Sequence, residues 1–336
     1  MIWRCLLLGL MTLLFFFGKV QGNENIWVRA DLLYWKAHEK SLVLTNKTSP
    51  VFTTDNYTKT KVLHPHFEWD PGFRLGLGYY SPCSDWFVTF NWIHYQTHVH
   101  QKRTTNSNDL TNVNNQQGMF PIWSLSNDII AGDYVSNAFL RGKIYLDFYD
   151  FDFGRGFVCL NSLQLKPYVG IRGANVCQRA HVKYSGGIFV LEILEGGVSL
   201  NGTDHMNMKN DFWGVGPRAG IAPRYYLGGG FSLYGDAAIS GLWGRFHVRQ
   251  KETYLQSVRF SHRKNRTSYR EIIDLALGLS WKACTCDQRY ALYFQLGWEY
   301  HILFRQLELR RDAFHLVRGN RNLEVQGITA CAGCEF

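Results

Sequence analysis

Proline is scarce in this chain, with 8 residues set against 32 glycines. No proline- or serine-rich linker and no shift of composition divides the sequence, which excludes a string of tethered domains. After the N-terminal segment there is also no apolar run long enough for a spanning helix, which needs about 20 residues. The longest stretch, residues 187–194, is too short and carries Glu192. Charge of a single sign is lacking as well: the net value is +9, yet acids and bases are interspersed. No nucleic-acid-binding motif accompanies the basic excess, so no nucleic-acid partner is expected. Nor does any nucleophile or carboxylate set converge at one depth; the chain reads as non-enzymatic, with no cofactor and no metal.

What is present begins with an export signal. Arg4 supplies a positive head, Cys5 to Phe17 is apolar, and Val20-Gln21-Gly22 offers short residues at a cleavage position. That pattern predicts a signal peptide over 1–22 and a mature domain over 23–336. The mature part is rich in aromatics, with 11 Trp, 18 Tyr and 23 Phe in the whole sequence. Such content suits strands that need an interfacial girdle.

Period-two alternation then recurs along the chain. Phe67, Trp69, Phe73, Leu75, Leu77 and Tyr79 oppose Glu68, Asp70, Arg74 and glycines. Similar two-faced runs follow at 138–149, 163–172, 213–225, 231–240, 273–281 and 292–301. Alternation behind an export signal predicts a transmembrane antiparallel β-barrel of about ten strands, although eight or twelve also fit. Connections at 81–85, 227–230 and 283–289 read as tight periplasmic turns. Those at 38–66, 100–132, 183–210, 250–267 and 305–321 read as long external loops. Residues 150–162 read as a longer turn, and 188–200 could hold a further hairpin.

Sorting the polar faces inward yields a lumen set of nearly balanced charge. Its members are Glu68, Asp70, Arg74, Arg141, Lys143, Asp147, Lys166, Arg172, Arg218, Arg224, Asp236, Asp274 and Glu299. Unpaired charges in a confined interior cost several kcal/mol, so the set should pair across strands and narrow any pore. Barrels near eight strands are filled by side chains and wide channels need ~16 to 18, so a ten-stranded barrel should conduct only small solutes, if any. The basic run from Arg259 to Arg270 reads as a loop that meets anionic lipid or polysaccharide. His94, His98 and His100 share a strand-end face with Trp92 and read as interfacial groups.

Most cysteines beyond the signal lie near predicted periplasmic turns or the terminus: Cys83, Cys159, Cys284, Cys286, Cys331 and Cys334, with Cys177 apart. In an oxidising compartment these six are candidates for disulfides, and the odd total leaves a thiol free or intermolecular. A zinc site from Cys284, Cys286, Cys331 and Cys334 is disfavoured by the spacing of the first pair. The last strand ends on Phe336, and a final aromatic strand resembles the assembly signal of bacterial outer-membrane proteins.

The segment from Trp69 to Tyr79, WDPGFRLGLGY, together with Ala30 to Ala37, ADLLYWKA, resembles the major-outer-membrane-protein-like family of legionellae and chlamydia-like bacteria. Phe90-Asn91-Trp92 and Lys166 to Gly173 extend the likeness. The resemblance implies an outer-membrane barrel with a porin-like or structural duty and supplies no catalytic residue. It also implies disulfide cross-linking of the envelope, as chlamydial relatives are known for. Expected partners are outer-membrane lipid and lipopolysaccharide, the barrel-assembly machinery, and envelope proteins reached through disulfides. A surface adhesin displaying its loops on a closed barrel is the alternative function.

Overall fold

The computed structural model describes residues 25–39, 42–50, 58–81, 84–105, 119–123, 135–160, 162–191, 198–254, 257–284, 290–309 and 322–336. The predicted signal peptide, Cys83 and Cys286 lie outside them. The strands are β1 (Asn25–Glu39), β2 (Thr45–Pro50), β3 (Thr58–Leu63), β4 (Trp69–Tyr80), β5 (Trp86–Thr104), β6 (Met119–Phe120) and β7 (Asn137–Arg155). They continue as β8 (Phe157–Leu160), β9 (Leu163–Leu191), β10 (Val198–Gly228), β11 (Phe231–Tyr254), β12 (Ser257–Cys284), β13 (Ala291–Leu303) and β14 (Leu323–Glu335).

Ten of these close into one antiparallel ring, in the order β1, β4, β5, β7, β9, β10, β11, β12, β13, β14, with β14 pairing back to β1. β8 adds a short edge at the start of β9, and β2, β3 and β6 form a separate small sheet. Closure leaves no unpaired barrel edge in the hydrocarbon, which is what a membrane-spanning sheet requires. The tight turns fall at one end, together with the start of β1 and the end of β14. At the β10–β11 hairpin Gly228, Gly229 and Gly230 all have positive φ, a run that side chains would strain.

Strand length is uneven. β4, β13 and β14 have 12, 13 and 13 residues, close to a membrane crossing, whereas β9, β10 and β12 have 29, 31 and 28. A crossing needs only about 9–11 residues, so the longer strands rise well beyond the bilayer. Two expected loops are corrected by this. Residues 183–210 and 250–267 are largely paired strand, because β9–β10 and β11–β12 continue their ladders to Leu191↔Val198 and Tyr254↔Ser257. The expected turn at 150–162 is also shorter, since β7 continues to Arg155.

Outside, an apolar band encircles the ring, with Leu233, Ile239, Leu275, Leu277, Leu296 and Ile328 exposed on it. Aromatics mark both rims. On the turn side Trp86 stacks on Phe153 at 4.6 Å, and on the loop side Trp243 meets Tyr269 at 4.9 Å. Large side chains that are exposed yet arranged as a continuous belt are what lipid solvates.

Candidate functional site: the filled lumen

In the half of the lumen nearer the turns, alternation brings charged residues of seven strands into one connected network. Arg74 on β4 donates to Asp31 on β1 at 3.0 Å and to both carboxylate oxygens of Glu299 on β13 at 2.9 and 2.5 Å. His301 bridges onward, with Nε2 3.2 Å from Glu299 and Nδ1 2.7 Å from Asp274 on β12. Arg172 on β9 donates to Asp274 at 2.6 Å and forks onto Asp150 of β7 at 2.6 and 2.7 Å. Arg218 on β10 donates to Asp152 at 3.5 Å and lies 3.5 Å from Asp274. Two rings complete the packing: Arg172 stacks over Phe148 at 4.5 Å and Arg218 over Tyr168 at 5.2 Å.

Paired, bidentate and stacked arginines are the arrangement that offsets the desolvation of buried charge. Tyr168 donates to Asp236 at 2.7 Å on the flank of the network. Toward the turns a cavity of about 150 Å³ remains, lined by Arg29, Lys166, Arg224 and Asp236 among others.

The other half of the lumen is apolar. Leu33, Trp35, Tyr95, Leu140, Ile144, Leu146, Val176, Phe212, Leu242 and Phe246 point in from the wall and are buried. Residues from the connections fill what they leave: Leu42, Leu44, Phe67, Trp123, Leu307 and Leu309 join the same core. Polar anchors hold this filling to the wall. Tyr184 of β9 donates to the Leu44 carbonyl at 2.8 Å and Asn210 of β10 to the Gln306 carbonyl at 2.9 Å, while within the filling Trp123 donates to the Val43 carbonyl at 2.6 Å.

Several expected lumen residues therefore need correcting. Arg141, Lys143 and Asp147 lie on the outer face of β7, because Leu140, Ile144 and Leu146 turn inward there. Asp147 lies 2.6 Å from His94, also on the outer wall. The physical reason is that this stretch stands above the hydrocarbon, where water is outside and the apolar core inside. Glu68 is exposed ahead of β4. Asp70 turns inward but accepts from Thr97 at 2.7 Å, apart from the network.

Arg74, Arg172, Arg218, Asp274 and Glu299 meet in the network, while Lys166, Arg224 and Asp236 line the cavity below it. Asp31, Asp150, Asp152 and His301 were not singled out from the sequence. Alternation across β1 from the buried Leu33 and Trp35 was a signal for Asp31, and the extension of β7 was needed for Asp150 and Asp152.

The basic run around 259–270 is not a loop but part of β12. Lys264 and Arg266 approach Glu308 at 3.7 Å each, and Arg270 bonds the same carboxylate. Among the described cysteines none is in a disulfide. Cys159 and Cys284 are exposed near the turn end, and Cys331 faces the lumen. Phe336 packs against Tyr290, ring centroids 5.7 Å apart, and its N–H donates to the Ile26 carbonyl at 2.8 Å.

A closed ring of strands with an apolar outer belt, aromatic rims and a polar lumen floor defines a β-barrel of the bacterial outer membrane. The chain belongs to the family of the Legionella pneumophila major outer membrane protein precursor, whose family model matches residues 22–332. No curated protein matches it. Among solved structures it is similar to the outer membrane protease OmpT from Escherichia coli, at 10% identity and a TM-score of 0.44, covering 95% of this chain and 99% of that one. It is also similar to the toluene transporter TodX of Pseudomonas putida (10% identity, TM-score 0.25, 94% and 90% covered). A FadL homologue of Pseudomonas aeruginosa is a third (7%, TM-score 0.26, 94% and 90%). The expectation that the chain is non-enzymatic is withdrawn on this comparison, because one of the similar barrels is a protease. At such identities none of these likenesses transfers an activity or a substrate.

Proposed function

We propose that the protein is a structural barrel of the outer membrane whose lumen is sealed against solutes, rather than a conducting pore. The observation that supports this reading is the double filling of the lumen. A cross-braced charge network closes the half near the periplasm, and an apolar core built jointly by wall and connections closes the half above it. A ring of this size leaves room for little more than its own side chains, and here those side chains touch across it. The exposed thiols Cys159 and Cys284 sit near the turn end; in this reading they serve for disulfide links to other envelope proteins in the periplasm.

Reconstitution of folded protein into planar bilayers tests the seal. The expected record is a flat baseline at moderate voltage, and reproducible conductance steps from the wild-type protein overturn the sealed barrel. Non-reducing electrophoresis of whole envelopes tests the links. Higher-mass bands are expected to collapse with reductant, and a monomer insensitive to reductant removes the cross-linking role.

A further inference from the structure

Above the loop-side rim the outer wall carries a row of cations that the fold itself leaves unexplained. Register places them directly opposite one another: Lys143 of β7 against Arg179 of β9, Arg179 against Lys209 of β10, Lys209 against Arg249 of β11, and Arg249 against Arg263 of β12. Like charges directly across a ladder are destabilising. Relief within the chain is small. Asp211 lies 2.7 Å from Lys209, and among the described residues no carboxylate pairs with Lys143, Arg179, Arg249 or Arg263. Parallel to this row run Arg141, His181 and Lys251, and together they frame a shallow groove of about 360 Å³. His205, beside His181 at 5.5 Å, has its pKa lowered by burial and then by His181 and Lys183.

The height of the row says what covers it. Lys209 stands four residues beyond the exposed Trp213 of the loop-side rim, about 14 Å along the strand at a rise of ~3.4 Å per residue and roughly 10 Å in height at the usual tilt. That is past the hydrocarbon, at the level of charged headgroups. The row faces sideways, continuous with the lipid-covered belt, rather than upward into bulk solvent.

We infer that this row is a binding site for a phosphorylated glycolipid of the outer leaflet. The acyl chains lie on the belt around Val215, Ile239 and Trp243, and the phosphates sit between Lys143, Arg179 and Arg249. The guanidinium forks of Arg179 and Arg249 suit phosphate oxygens, which take paired N–H donors. The site does not depend on whether the lumen conducts, so failure of the sealed-barrel reading leaves it standing.

The test uses full-length refolded protein in detergent, with purified diphosphoryl lipid A as the probe and native mass spectrometry to count retained lipid. The wild-type barrel is expected to hold lipid A at micromolar concentration, and the combined variant Lys143→Ala/Arg179→Ala/Arg249→Ala to bind it about tenfold or more weaker. Lys36→Ala/Lys102→Ala, which removes two cations from the outer faces of β1 and β5 away from the row, serves as the control and should bind as wild type. Heat-modifiable electrophoretic mobility establishes that each variant is folded. Equal retention by wild type and the combined variant overturns the site. So does equal retention of dephosphorylated lipid A. Displacement of the lipid by soluble heparin at matched charge concentration reassigns the face to an external polyanionic glycan and likewise overturns it.

Discussion

Strand β7 holds two opposite environments within one ladder. From Ala138 to Phe148 its even positions are apolar and point inward while Arg141 and Lys143 point out. From Tyr149 to Phe153 aromatics point out while Asp150 and Asp152 point in. The parity of the strand never changes; the solvent outside the wall does. Where lipid is outside, the inner face carries the polar groups, and where water is outside, the inner face becomes an ordinary hydrophobic core. The molecule thus joins a membrane barrel to a soluble one on the same strands, and the inside of each is filled by a different chemistry.

The contrast can be broken from its charged half first. Arg172→Ala strands Asp150 and Asp274 without their shared partner and is expected to cost about 3–5 kcal/mol, read as a lowered midpoint of urea unfolding in vesicles. Replacing Arg172, Asp150 and Asp274 together by apolar residues of similar volume should cost far less, because each charge left behind keeps a partner, Arg218 on Asp152 and His301 on Glu299. A triple variant as unstable as the single one removes the pairing argument.

In the apolar half Leu140→Ala should cost about 2–5 kcal/mol by leaving a cavity in the buried core to which Leu140 belongs. Its unfolding midpoint should be indifferent to salt, whereas that of Arg172→Ala should not. On the outside the two levels should differ again. Leu277→Arg, in the middle of the lipid belt, is expected to cost about 2–4 kcal/mol in bilayers. Arg141→Leu, above it, should change stability by no more than about 0.5 kcal/mol. Equal costs at the two positions would show that the apolar belt reaches higher than the aromatic rim.

Much of the wall was legible beforehand. In β10 to β14, residues such as Arg218, Asp274 and Glu299 alternate with Trp213, Leu277 and Trp298, and the structure puts each on the expected side. There the outside is lipid, so hydropathy and face coincide. Arg141, Lys143 and Asp147 were misplaced by the same rule, because hydropathy alone does not say at which height a strand leaves the membrane. The tight turns were readable from their glycine, proline and serine. The extended hairpins of β9–β10 and β11–β12 were not, since polar strands standing in water resemble loops.

The charge row from Lys143 to Arg263 shows the limit most clearly. Its members are scattered over five strands and more than a hundred positions of sequence, and only register sets them side by side.

The sequence alone determined that this chain is an outer-membrane barrel of a recognisable family, because alternation is a local property repeated along every strand. Strand height, the partners of each buried charge, and the filling of the lumen's apolar half by Leu42, Leu44, Phe67, Met119, Trp123, Leu307 and Leu309 were decided only in the tertiary structure. These are contacts between segments far apart in the chain, and their energies depend on what lies on the other side of the wall.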